Sequence, residues 1–379
     1  MARAERNGGA VARERRRPDR RRRRTRGARW WWAAILVLGH LIGYLLAFPT
    51  ELEPVGFQPP PVPPLTGPLA PNEDLRRAER FAVGQIDGPE DVAIDPQGRM
   101  IGATHDGKLV RVSLAGAIDV LATTGGRPLG LAWDGAGNLI VADAVKGLLS
   151  VDPDGTVTTL ATAAGGIPFG FTDDVDVASD GRIYFSDAST KYGYGDHILD
   201  ALEGQANGRL LRYDPATKTT TVLLDGLYFA NGVALSRDED YVLVVETYRH
   251  RIRRYWLKGD QAGHADLFAT NLPGYPDGVS SNGRGTYWVA MFTVRNAAAD
   301  WLAPRPFMKK VMSRLPRFLW PKPKPYGLVL ALDEEGRVTR SLHDPDGVHV
   351  PTITSVEEHQ GWLYLGSLTA PHLARVRLP

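Results

Sequence analysis

Six residues stand at one place in a repeated pattern, each immediately before a short β-rich run: Glu90, Leu129, Asp173, Asn231, Asp277 and Ile353. Four of the six carry oxygen donors. If the runs are like strands around a common axis, residues at one register position share a side, so these four converge at one mouth of a central channel. Three carboxylates brought together repel and raise one another's pKa unless a cation stands among them. Carboxylates with one amide form the hard-oxygen set that suits Ca2+. Magnesium, zinc and an ion-free polar channel are the alternatives. Asn231 is the informative position: in "YFANGVALS" the Asn-Gly pair opens a run, whereas an Asn-Gly hairpin turn lies between two strands. Any one Asp or Asn before Gly reads most simply as a turn residue. Four at the same register position point to a ligand set.

The elements that must position them are visible as an internal repeat. It reads "DVAIDPQGRMIGA", "GLAWDGAGNLIVA", "DVDVASDGRIYFS", "GVALSRDEDYVLVV", "GVSSNGRGTYWVA" and "TSVEEHQGWLYLG". Each copy is a short strand, a turn around Asp or Gly, and a more apolar strand. A third strand such as "GKLVRVSL" and a fourth such as "TVTTLAT" usually follow. Four antiparallel strands make one propeller blade. The expected fold is therefore all-β, a six-bladed β-propeller over residues 75–379, preceded by a single N-terminal transmembrane helix. The stretch "RRAERFAVGQI" before the first copy is the candidate outer strand that closes the last blade.

Residues 1–29 contain 13 Arg, three acidic residues and no Lys, a charge of +10. Residues 30–48, "WWWAAILVLGHLIGYLLAF", have no formal charge unless His40 is protonated, and at 1.5 Å per residue a helix of that length just crosses a bilayer core of about 30 Å. An Arg-rich flank marks the cytoplasmic side and Trp suits the headgroup interface. The expectation is an Arg-rich cytoplasmic tail at 1–29, a signal anchor at 30–48 and a Pro-rich linker at 49–74. The propeller would then lie on the outer, periplasmic or extracellular, side of a single-pass cell-membrane protein. A cleavable signal peptide is the rival, disfavoured because "LLAFPTELE" lacks a small-x-small cleavage site. The whole chain is +2, so residues 30–379 carry −8. The basic run reads as a topology signal, and nothing recommends a nucleic acid as partner. There is no Cys, so no disulfide braces the fold.

The segments "RPLGLAWD", "DGRIYFSDAS", "GRLLRYDP", "FANGVALS", "ETYRHRIRRYW", "LPGYPDGVS" and "EEHQGWLYLGSL" carry a resemblance running from about Phe81 to the C-terminus. The chain resembles the strictosidine-synthase-like family, most closely the adipocyte plasma membrane-associated protein type. That family falls within the wider group of senescence marker protein, gluconolactonase and paraoxonase propellers. The resemblance implies an anchored six-bladed propeller whose calcium ligands fall on Glu90, Asp173, Asn231 and Asp277, with Asp277 also at the general-base position of the lactonases. Three departures matter. The catalytic Glu of true strictosidine synthases corresponds to Thr354, which cannot act as that base. The His of the paraoxonases corresponds to Leu129. The family's Asn in the third blade is Asp173, an added negative charge.

Other ionisable residues close second strands: His105, Asp143, Asp187 and Glu246. The three acids are expected to be structural. Because the second strand returns toward the ligand mouth, His105 is a candidate for proton transfer. No Gly-x-Ser-x-Gly or Gly-rich phosphate loop is present. Two long insertions fall between second and third strands, on the same mouth. The later one, at 295–327, mixes Lys309, Lys310, Arg314 and Arg317 with Trp301, Phe307 and Phe318, so it suits either a lid packed on the propeller or contact with anionic lipid. The functional expectation is a membrane-anchored, calcium-dependent hydrolase of small-molecule esters or lactones, arylesterase- or lactonase-like. A non-catalytic calcium-braced binding or adhesion propeller is the alternative.

Overall fold

The structure, a computed structural model, describes residues 20–378 and, for 20–29, the backbone only. The Arg-rich tail expected at 1–29 therefore lies outside the described residues except for the backbone of its last part. The chain divides after Thr50 into two compact units.

The first unit is the helix Arg20–Ala47. Its apolar part, Trp30–Ala47, has a mean hydropathy of 1.6, and among the described residues it is the one helix long and apolar enough to cross a membrane. The helix starts earlier than the apolar run because Arg is a good helix former, and it stops before Pro49, which disfavours helical backbone in the residue ahead of it.

The second unit holds six four-stranded antiparallel sheets. The inner strands, in chain order, are Val92–Ile94, Pro128–Trp133, Thr172–Val177, Ala230–Leu235, Gly274–Ser281 and Ile353–His359. The last blade takes its outer strand from the N-terminal side: Glu79–Phe81 pairs with Leu373–Arg377, Arg80 opposite Ala374. The ring is thus closed by strand pairing between the two ends of the propeller, which gives the last blade its fourth strand and leaves a short outer edge of three residues, peripheral like the outer edges of the other blades.

The second strands are apolar on both faces, as in Tyr241–Glu246, where every residue is buried. Alternate side chains serve opposite neighbours. Leu139 and Val141 pack with Ala93, Ile101 and Leu109 of the first blade, while Ile140 and Ala142 pack with Val175 and Phe185 of the third. Six such clusters fill the six gaps between neighbouring blades. A strand buried on both faces loses the apolar-polar alternation, which explains the continuous apolar runs.

The acids that end the second strands staple the loop leading into their own inner strand. Asp143 accepts from the Arg127 and Val145 N–H groups, both at 2.9 Å. Asp187 accepts from Phe171 N–H at 2.9 Å and pairs with Arg209 at 2.6 Å. Glu246 accepts from Tyr228 N–H at 3.0 Å and pairs with Arg251. These are structural groups, as expected.

The Pro-rich stretch expected as a spacer is extended but not free. Val55 N–H donates to Glu203 O at 2.9 Å and Phe57 N–H to Ala303 O at 3.1 Å. The carbonyls of Pro61 and Pro68 accept from the Asn271 amide and the Ser341 hydroxyl, and Leu52 is buried. Proline withdraws a donor but leaves its carbonyl, so a Pro-rich strap can be held by side-chain donors from the body it crosses.

Near the axis the inner strands approach one another to backbone contact. A Cβ on Gly232 would stand 2.5 Å from both Asp277 O and Val279 N, and one on Gly278 would stand 2.5 Å from Thr354 O. The glycine of "FANGVALS" is required by the neighbouring blade and not by a turn. Replacing Gly232 by Ala should lower the unfolding free energy by about 1–3 kcal/mol. Gly135→Ala, at a position where the added carbon meets nothing within 4 Å, should stay within about 0.5 kcal/mol of the parent. Chemical denaturation of the two variants checks this, and equal losses would remove the inter-blade explanation.

Candidate metal centre

From the second blade to the fifth, each inner strand carries a bulge at the expected ligand position. In the sixth the expected position is Ile353, but Ile353 pairs with Ser367 and the extra residue is Thr354, which lines the channel in its place. In the third blade Thr172 pairs with Asp187 and Val175 with Phe185, so one extra residue lies across Asp173–Asp174. In the fourth blade Ala230 pairs with Glu246 and Val233 with Val244, a bulge across Asn231–Gly232. In the fifth, Pro276 pairs with Met291 and Val279 with Val289, a bulge across Asp277–Gly278. A bulge bends the strand and re-aims a side chain. It turns these donors toward the axis, where ordinary alternation would send one of each adjacent pair away. Glu90 enters just before its strand, its N–H donating to Ala103 O at 3.0 Å. All four line one axial cavity of about 260 Å³, together with the apolar Leu129.

The electrostatics are those of an unneutralised cluster. Glu90 Oε2 and Asp173 Oδ2 are buried without a hydrogen-bond partner. Burial, then Glu90 and Asp277, push the Asp173 carboxyl well above the usual range. Burial and then Glu90 do the same to Asp277, against a hydrogen bond donated by the Asn231 amide. Burial raises Glu90 to about 7, opposed by Arg127, whose guanidinium stands 4.0 Å away. Buried carboxylate oxygens without donors fit a cation among them, because a bound cation would supply the missing partner and remove the repulsion. Oxygen-only donors of mixed charge fit calcium. Three ionised carboxylates beside one guanidinium carry a net charge of −2, which one divalent ion would balance. Among the described residues no three His, Cys, Asp or Glu groups form a closed ligand cluster; here three carboxylates and an amide are spread around a channel wall.

The next ring inward belongs to the scaffold. Asp91 Oδ2 accepts from Leu131 N–H of the second blade, and Asp174 Oδ2 from Val233 N–H of the fourth, each at 2.7 Å. Thr354 donates its hydroxyl to Glu90 O at 2.6 Å.

His105 does not line the channel. It is exposed at the same mouth, its Nδ1 3.1 Å from the Tyr194 hydroxyl. The Tyr194 ring lies 5.8 Å from the Arg127 guanidinium, so His105 reaches the ligand ring only through Tyr194 and Arg127. Sequence reasoning missed Arg127, although a cation at the start of the apolar "RPLGLAW" was a usable signal. It also missed Tyr248, which packs on Phe229 at 4.8 Å. Burial and then Asp200, Asp277 and Asp173 hold the Tyr248 phenol protonated far above its usual range.

Both insertions leave the ends of second strands on the ligand side: Asp187 pairs with Thr172, beside Asp173, and Val294 with Gly274, near Asp277. They form the helices His197–Glu203, Ala297–Leu302 and Pro306–Ser313. Leu202 and Leu302 pack together with Leu52 of the strap, Met312 and Trp320. The insert at 295–327 thus has a packed inner side, as a lid requires, while Trp301, Phe307 and Phe318 remain exposed.

Residues 173–260 match the family model described as strictosidine synthase, and residues 67–112 the model described as strictosidine synthase-like, N-terminal. The adipocyte plasma membrane-associated protein of Bos taurus is 41% identical over 372 residues, covering 91% of this chain and 88% of that protein. Its Homo sapiens counterpart is 41% identical over 366 residues, covering 88% of this chain and 85% of that protein. Among solved structures, a gluconolactonase from Xanthomonas campestris matches with a TM-score of 0.59 at 19% identity, covering 80% of this chain and 90% of that one. Regucalcin, a calcium-binding protein from Agrobacterium tumefaciens, matches with a TM-score of 0.56 at 16% identity, covering 78% and 92%. At these identities the two structures speak for the fold.

The ring yields a pH test. The folded state of the ion-free protein holds the Glu90 proton up to about pH 7, whereas the unfolded chain releases it near the ordinary value of about 4.3. Between those values the folded state binds more protons, so stability is full below the window and is lost as pH rises through it. Thermal melts in chelator should therefore fall from pH 5 to pH 8, and saturating calcium should flatten the slope. The same slope with and without calcium would show that the ion does not enter this ring.

Proposed function

The chain belongs to the strictosidine-synthase-like family, among relatives of the adipocyte plasma membrane-associated proteins, and from that premise we propose that it is a membrane-anchored, calcium-dependent hydrolase of carboxylic esters or lactones. The observation that carries this reading is the buried ring of Glu90, Asp173, Asn231 and Asp277, with two carboxylate oxygens lacking any partner. These four residues would hold the ion. Bound calcium would polarise the substrate carbonyl and stabilise the charge that develops on its oxygen. Asp277, oriented by the Asn231 amide, is the base that takes a proton from the attacking water. That proton then goes to the departing alkoxide. His105, beside Tyr194 at the mouth, is the alternative proton carrier. Thr354 is committed to a backbone carbonyl, which argues against the amine-aldehyde condensation of true strictosidine synthases.

A second reading has its own support. The four donors come from four different blades, so an ion there would brace the ring even without turnover, as in a binding or adhesion propeller. Hydrolysis of phenyl acetate and of a δ-lactone by the full chain separates the two. The expected result is activity with calcium, its loss in chelator and its return on calcium addition. Asn231→Gly should weaken calcium binding about tenfold or more. Calcium-dependent melting without turnover would favour the brace.

The helix Arg20–Ala47 supports a single membrane span, and the Arg excess of residues 1–29 supports a cytoplasmic N-terminus with the propeller outside. Trp301, Phe307 and Phe318, exposed among Lys310, Arg317 and Lys322, support a further contact of the lid with anionic lipid. Protease added to intact cells or spheroplasts should cut the propeller and spare an epitope placed on the N-terminus. Cleavage of the epitope with the propeller intact would reverse the orientation.

A further inference from the structure

Under the lid lies a second cavity of about 170 Å³, separate from the channel and walled largely by apolar side chains, Phe57, Leu202, Leu302, Met312 and Trp320 among them. Two cations stand in its wall, Lys309 and Arg249. Lys309 is 4% exposed, and its Nζ donates to Val55 O at 2.8 Å. The nearby acids are engaged elsewhere: Glu203 with Lys191 at 2.7 Å and with Glu53 N–H, and Asp300 with Arg295 at 2.8 Å. Arg249 lies between the rings of Phe57 and Tyr228, at 4.2 and 3.5 Å, and gives its N–H groups to Tyr248 O and Gly204 O. Burial, and then Arg249, push Lys309 down to about 8, so it is still mainly protonated at pH 7. Burial, and then Arg295, take His250 in the same wall to about 4, leaving it neutral.

A buried ammonium that meets another cation and no carboxylate is costly unless an anion joins it. The donor supply defines that anion. Arg249 is held between two rings and gives two of its N–H groups to backbone carbonyls, so the most available donor is the Lys309 ammonium, with hydrogens to spare. His250, Tyr248, Tyr275 and Asp300, the last paired with Arg295, are the other polar groups of a wall that is otherwise apolar. A phosphate dianion would bring a second negative charge into a wall that already holds the Asp300 carboxylate, and would leave the apolar space unfilled. We propose that this cavity is a binding site for an amphipathic monocarboxylate, its head on Lys309 Nζ and its short aliphatic or aryl body along Leu202, Leu302, Met312 and Trp320. At roughly 30 Å³ per water the cavity has room for a body of five or six heavy atoms. This site requires no turnover at the channel mouth, and its test is independent of the metal.

The test titrates the full chain in lipid nanodiscs, with chelator present and empty nanodiscs as blank, against hexanoate, 1-hexanol and inorganic phosphate. Hexanoate should bind saturably, with hexanol and phosphate at least tenfold weaker. Lys309→Met should weaken hexanoate about tenfold or more, the scale of a hydrogen bond to a charged group, and should raise the melting temperature without ligand by removing an uncompensated charge. Equal binding of hexanoate and hexanol overturns the proposal, as does phosphate binding as tightly as hexanoate, or undiminished hexanoate binding by the variant. If the variant does not fold, the three titrations of the parent decide.

Discussion

Close approach of neighbouring inner strands at the axis is the constraint from which the rest of the ring follows. Gly232 and Gly278 exist because the next blade's backbone stands where a Cβ would be. The same approach leaves room for side chains only where a bulge turns them into the channel, as at Asp173, Asn231 and Asp277. It also removes water from those side chains, and that desolvation is the largest cause of the raised pKa values there. Packing that stabilises the propeller thus creates an electrostatic deficit at its centre, which a divalent cation held there would settle.

The two sides of the lid carry opposite deficits. In the channel Glu90 and Asp173 each hold a buried oxygen without a hydrogen-bond partner, whereas inside the lid the buried Lys309 ammonium feels Arg249 as its charged neighbour. The aromatic cluster of Phe171, Phe229, Tyr194 and Tyr248 lies at the mouth between them. Tyr248 belongs to both, lining the lid cavity while feeling Asp277 and Asp173. A molecule with an apolar body and a carbonyl or carboxylate end matches this polarity. The strap from Leu52 to Phe57 completes the lid cavity, so the stretch after the membrane helix is part of the site's wall.

The sequence by itself determined the blade number, the ring-closing strand, the inner-strand register of the first five blades and the four polar residues that line the channel, and it missed by one residue in the sixth blade, where Thr354 and not Ile353 faces the channel. These are local or periodic properties: turn residues, apolar runs and one recurrent position, each encoded within a few residues and repeated six times. Asn231 could be separated from a hairpin turn because the repeat supplied five other copies for comparison. What only the tertiary structure decided depends on which distant segments meet. Arg127 is an ordinary cation in sequence and becomes Glu90's neighbour only when the first two blades dock. The proline stretch reads as a spacer until Asn271 and Ser341 are found holding its carbonyls. Lys309 looked like one of several surface charges, and its burial without an acid follows from the meeting of two insertions more than ninety residues apart with the strap. Such pairings are set by ring closure and desolvation, which act across the whole fold and leave no mark on any short window of the chain.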